Sequence, residues 1–199
     1  MSEVVCDITI SLDGYAAGPE QSREDPLGKG GEGLHTWMFE TPEENRAELD
    51  GILSAGAYIM GRNMFGPIRG EWDVDWTGWW GDEPPYHGPV FVLTHYPREP
   101  LTMAGGTTFT FVTDGIESAL DQARDAAGEA NVAIAGGPST VDQYLSAGLL
   151  DELRLHVTPI LLGGGERLFA RVPALRLRPT SARSASLVTH AVYRIPRAS

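Results

Sequence analysis

Twice in this chain a short apolar run ends in glycine and passes at once into a helical pattern. The two places are "YIMGRNMF" at 58–65 and "VAIAGGPST" at 132–140. This is the punctuation of strand-to-helix units. A chain built from such units folds as α/β with a largely parallel sheet. The turns also carry a chemical meaning. A helix start has unpaired N–H groups and the positive end of a dipole. Glycine there lets an anion such as phosphate approach the backbone closely. Ser139 and Thr140 add hydroxyl donors, and Arg62 adds a forked cation. The competing explanation is a tight turn with no ligand, because neither stretch matches the GxGxxG or P-loop patterns.

The rest of the chain reads in the same alphabet. Val4 to Leu12 alternates with period two, which predicts a strand with one apolar face. "DGYAAGP" breaks it, and the Gly-rich polar run 19–36 predicts a mobile loop. Thr41 with Glu44 forms a capping-box pattern with Pro42 at the first helical position. Strands are predicted at "AYIM", "VFVLT", "TFTFV" and "VAIA". Helices are predicted from Asp114 to Gly128 and from Val141 to Gly148. After Leu150 strands follow strands, "DELRLHV" then "SLVTHAVYRI", so this part is read as antiparallel and the sheet as mixed. The stretch 67–89 is a loop insertion holding Trp72, Trp76, Trp79, Trp80 and Tyr86.

Composition narrows the partners. The 199 residues fit one domain, 1–199, with a sizeable core. Net charge is -12, with 15 Lys and Arg against 27 Asp and Glu, so a phosphate-tracking nucleic-acid protein is not expected. The single cysteine, Cys6, rules out an internal disulfide. No two histidines have ligand spacing, and no metal is expected. Met1 to Ile10 lacks a basic leader pattern and no apolar run has membrane-spanning length, so a cytoplasmic protein is expected.

The stretches "ITISLDGYAAG", "YIMGRNMF", "VFVLTH" and "VAIAGGPSTVDQYLSAGLLDELRLHVTPILLGGGERLF" resemble the dihydrofolate reductase-like family. The resemblance runs from Val4 to about Phe169 and is greatest to the reductase domain of bifunctional riboflavin-biosynthesis enzymes and its stand-alone relatives. It implies a mixed, mostly parallel sheet flanked by helices, antiparallel C-terminal strands, NADPH as cofactor and a homodimer. By that resemblance Gly61, Arg62 and Asn63 meet the cofactor phosphates. Thr94 and His95 lie near the adenosine ribose and its 2′-phosphate. Gly136 and Gly137 lie against the pyrophosphate and nicotinamide, with Ser139 and Thr140 behind. Thr9 and Ile10 edge the nicotinamide, and the loop from Asp13 through Ala17 to Gly18 closes over it.

Two positions depart from the family pattern. Many members carry Thr where this chain has Met64. The acid that binds pterin in dihydrofolate reductases is replaced by Asn45, with Glu44 beside it. Glu44 is read either as substrate-facing or as a helix cap. Trp79 and Trp80 are read as stacking on a planar substrate or as a packed lid, and Asp13 as a proton relay or a turn residue. Lys29, Arg46 and Arg69 are too scattered to form a ribose-phosphate pocket. Three functions stay open at this point: an NADPH-dependent reductase of a planar heterocycle, carbonyl or imine, of the riboflavin-pathway pyrimidine type among others; a non-catalytic binding protein on the same fold; and a flavin-dependent enzyme.

Overall fold

The computed structural model describes residues 2–66, 70–73 and 75–196. Arg69 and the opening of the tryptophan loop at 67–69 lie outside the described residues, as does position 74. The first strand, β1 (Val4–Ser11), is buried along nearly its whole length rather than on one face. The reason is its position. It lies in mid-sheet, parallel to β7 (Val132–Gly136) on one side and to β8 (Glu152–Thr158) on the other. Covered on both faces, it loses the one-sided character that its alternation predicts.

The remaining elements follow in chain order. They are β2 (Tyr15–Ala17), α1 (Thr36–Glu40), α2 (Arg46–Ile52), β3 (Ala57–Gly61), α3 (Arg62–Phe65), β4 (Pro89–Leu93), β5 (Leu101–Thr102), β6 (Thr108–Val112), α4 (Gly115–Ala127), α5 (Pro138–Ser146), β9 (Glu166–Arg167), β10 (Arg178–Ser184) and β11 (Thr189–Arg194). Among the described residues one nine-stranded sheet has the order β10-β11-β8-β1-β7-β3-β4-β6-β5, and β2 pairs with β9 apart from it. The run from β8 to β6 is parallel. At the C-terminal edge, β11 joins β8 and β10 joins β11 antiparallel. The sheet is thus mixed, mostly parallel and flanked by helices, as the sequence leads one to expect.

The two faces are covered differently. On one, Ala119, Leu120 and Ala123 of α4 and Val141, Tyr144 and Leu145 of α5 pack onto Cys6, Ile59, Phe91, Ile134 and Leu153. The Tyr144 hydroxyl donates to the Ile116 carbonyl at 2.8 Å and ties these two helices together. On the other face, Tyr58, Met60, Val92 and Phe109 are roofed by Phe65 and by rings of the tryptophan loop.

Over β1, β8 and β11 that second face is polar and buried. His190 and His156 sit opposite each other in the ladder, with their Nδ1 atoms 2.7 Å apart. The Asn45 amide nitrogen donates to the carbonyls of Trp37 and Thr41, so its oxygen accepts from His190 Nε2 at 2.9 Å. His190 Nδ1 then accepts from His156 Nδ1–H. The indole of Trp37 lies on both imidazoles, at 4.9 and 5.1 Å between centroids.

This network overturns the capping-box reading. Thr41 Oγ1 donates to the Trp37 carbonyl and Glu44 accepts from the Ser186 N–H, so neither caps a helix. The helix starts later, at Arg46. Asp114 does stand at the start of α4, but without a side-chain cap bond; it accepts instead from the Thr113 hydroxyl. The run 19–36 is pinned by backbone bonds from Gly18 to Leu27 and from Lys29 to Pro19, with Leu34 fully buried. Its glycines serve close approach there.

The buried His190 imidazole makes stability depend on pH. Burial, then the neighbouring His156, pushes the His190 pKa down to about 4. An unfolded histidine titrates near 6.5. Between these values the unfolded chain binds a proton that the folded chain does not, so stability falls as pH drops from about 6.5 towards 4. The urea midpoint at pH 5 is expected below that at pH 7, and His190→Gln is expected to flatten the difference.

Candidate functional site

A cavity of about 800 Å³ opens at the C-terminal ends of β3, β4, β6 and β7. That is the usual ligand position in an open α/β sheet, and the volume lies in the usual range for ligand sites. Strand order sets its long axis. One end is built by Thr94, His95, Tyr96 and Thr113 after β4 and β6; the other by Ala16, Ala17, Leu27, His35 and Phe39, which approach from the β1 side. Between them lie the two glycine turns.

The glycines of these turns do different jobs. A side chain on Gly61 would collide with Thr140 Oγ1, so this glycine lets the start of α5 close on the end of β3. Gly137 has nothing within 4 Å of where a Cβ would stand. Its φ of -69° is open to any residue. Pro138 takes the first helical position after it, where a missing N–H costs nothing. Gly137 is therefore bare backbone facing open cavity at the start of a nine-residue helix. Gly136, with φ +107°, lies buried beneath it and does not line the cavity.

Arg62 supplies the charge. Its guanidinium lies 3.7 Å from the Trp72 ring centre and 5.3 Å from that of Tyr96, and it donates to the Glu71 carbonyl at 3.2 Å. Trp72 is itself held by an Nε1–H bond to the Tyr96 carbonyl at 2.7 Å. Arg62 Nε and Nη1 are buried without a protein partner. Burial pulls its pKa below the usual value, yet an arginine stays charged at neutral pH. A fixed cation with unused donors beside a glycine-lined helix start suits a phosphorylated cofactor.

Of the other residues singled out from the sequence, Ala17, Asn63, Thr94, His95, Ser139, Thr140, Trp79 and Trp80 also line this cavity. The Thr94 hydroxyl is engaged locally with the Tyr96 backbone. Three residues lie elsewhere. Thr9 is buried in β1 opposite His156. Glu44 is bound to Ser186. Asp13 accepts from the Ser11 hydroxyl at 2.6 Å and from the backbone N–H groups of Leu162 and Gly163. The Ser11 bond, then the Gly163 and Leu162 bonds, hold its pKa at about 2, so it carries no proton near neutral pH and acts as a loop staple.

The tryptophan loop is mostly packing. Trp76 donates to the Phe65 carbonyl, Trp80 stacks near Phe109, and Trp79 lies edge-on to Trp76. The loop roofs a sheet face, and Trp79 and Trp80 also reach the cavity wall.

Sequence reading missed His35, Phe39, Tyr96 and Glu166, all on the wall. They come from stretches without periodicity. Among the described residues no group of three or more His, Cys, Asp or Glu is placed to hold a metal, and no helix is long and apolar enough to cross a membrane.

Comparison with known proteins identifies a family and a shared fold. The RibD C-terminal domain family matches residues 2–190. The chain belongs to that family. Its fold is shared with a candidate riboflavin biosynthesis protein from Shewanella sp. PV-4, at 24% identity, 98% and 99% coverage of the two chains and a TM-score of 0.68. It is also shared with a pyrimidine reductase-like protein from Corynebacterium diphtheriae, at 16% identity, 99% and 93% coverage and a TM-score of 0.60. A third is the diaminohydroxyphosphoribosylaminopyrimidine deaminase/5-amino-6-(5-phosphoribosylamino)uracil reductase of Thermotoga maritima, at 13% identity and a TM-score of 0.62. Here 98% of this chain covers 57% of the longer protein. No curated protein matches the sequence.

Proposed function

We propose that this RibD C-terminal domain chain is an NADPH-dependent reductase of a planar small molecule. The observation that carries the reading is the pairing of bare backbone at Gly137 with the Arg62 guanidinium, whose buried Nε and Nη1 lack protein partners. Family membership and the reductases named among its structural neighbours support it. NADPH, when bound, supplies the hydride. The backbone at Gly137 and the start of α5 would meet its pyrophosphate, and Arg62 its other phosphate. Ser139 and Asn63 would add polar contacts. Met64 brings a thioether, a weak acceptor, to the wall, so Arg62 carries more of the charge recognition.

The chain's remaining work is positioning. Holding two flat rings in contact converts a bimolecular step into an effectively unimolecular one. Ala16 and Ala17 leave room on the β1 side of the cavity, and Phe39 and Leu27 give it apolar surface.

The test is a titration with NADPH and NADH, read by tryptophan quenching. Micromolar NADPH binding with weaker NADH binding is the expected result. Absence of binding to either overturns the reading. Binding without NADPH oxidation across a panel of pterins, flavins and quinonoid compounds would identify a binding protein instead.

We also propose a homodimer. Strand β10 ends the sheet with every residue exposed, and an unpaired strand edge is a template for pairing. Sedimentation as a monomer at micromolar concentration would overturn this.

A further inference from the structure

The β1 side of the cavity is mostly apolar, with Gln21, His35 and Glu166 as its polar side chains, none of them used by any step above. His35 ends a turn whose backbone N–H donates to the Glu32 carbonyl, and it opens α1. Its imidazole lines the cavity together with Ala17, Leu27 and Phe39. Its Nδ1 is buried and has no hydrogen-bond partner. A buried ring nitrogen left unpaired costs stability comparable to a lost hydrogen bond unless a ligand meets it. Burial also lowers the pKa of this histidine, so the ring is neutral near pH 7. A neutral imidazole offers one donor and one acceptor, which matches the N–H and C=O edge of a heterocycle. The same wall carries the carboxylate of Glu166, on the β9 strand that pairs with Ala17. A carboxylate there repels an anionic group on the acceptor.

We propose that His35 is the polar anchor of the acceptor subsite, reading the hydrogen-bonding edge of a flat, uncharged heterocycle whose face lies against the apolar wall. This rests on the reductase reading for what the bound heterocycle then undergoes. It assigns the acceptor to a class without phosphate, unlike the phosphoribosyl compound in the name of the Thermotoga enzyme.

The experiment uses three probes: quinazoline-2,4-dione, its 6-carboxylate, and naphthalene, a ring of similar size without polar edges. Each is titrated into the protein with and without NADPH. The wild-type chain is expected to bind the dione at least tenfold more tightly than either other probe. His35→Phe is expected to lose about tenfold in dione affinity and under twofold in naphthalene affinity. His35→Asn, whose amide reaches where Nδ1 stands, is expected to recover most of the loss. It also guards against a Phe variant that fails to fold. Equal losses for dione and naphthalene, failure of the wild-type chain to bind the dione, or no recovery by Asn overturns the anchor. Equal affinity for the carboxylate overturns the uncharged class. Failure of NADPH to bind, with the probe results as expected, overturns the reductase reading and leaves the anchor standing.

Discussion

Replacing Gly137 by leucine is expected to raise the NADPH dissociation constant at least a hundredfold, about 2.7 kcal/mol, while the unfolding temperature stays within about 2 °C of wild type. The new side chain meets no protein atom near its Cβ and its φ is ordinary, so the fold has room for it. The space it fills is the approach to the α5 backbone. Gly61→Ala gives the opposite signature, because its Cβ runs into Thr140 Oγ1 and protein packing must give way. A lowered unfolding temperature is expected for that variant. Calorimetry for stability and fluorescence titration for affinity separate the two. If Gly137→Leu binds NADPH as tightly as wild type, the cofactor does not lie on this turn.

Trp37→Ala is expected to cost roughly 3–5 kcal/mol of stability, the range for deleting a large buried ring. For a chain of this size that lowers the unfolding temperature by about 10 °C. Trp37 is fully buried and covers both His156 and His190. Its removal leaves a void above a polar pair that has no other cover from α1. Trp37→Phe should recover about half of the loss by keeping a ring over the imidazoles. Urea denaturation reads both variants. A loss below about 1 kcal/mol for Trp37→Ala would show that the α1–α2 segment contributes little to the sheet's cover.

These contrasts show which parts of the molecule were legible. The parallel strands and the helices α4 and α5 follow from apolar periodicity and glycine punctuation. Such patterns report burial that repeats along one element. The helix start at Thr41 was misread because its capping pattern is local, whereas Asn45 answers to Trp37 and, across the sheet, to His190. Asp13 looks the same in sequence whether it faces a substrate or staples a loop. Only the arrival of Leu162 and Gly163, about 150 residues later in the chain, decides it. His35 carries no periodic or spacing signal, because its neighbours on the wall come from β2, α1 and β9.

The sequence by itself determined the α/β class, the placement of two glycine turns at strand ends, and the acidic charge balance. Each depends on residue type and spacing along the chain, and short-range physics reads both. Tertiary structure alone decided that Gly61 serves packing while Gly137 faces the cavity, that the tryptophans roof a sheet face, and that a histidine pair lies buried beneath Trp37. Those outcomes depend on which atoms meet across the sheet, and chain connectivity brings those atoms together only when the strands are ordered.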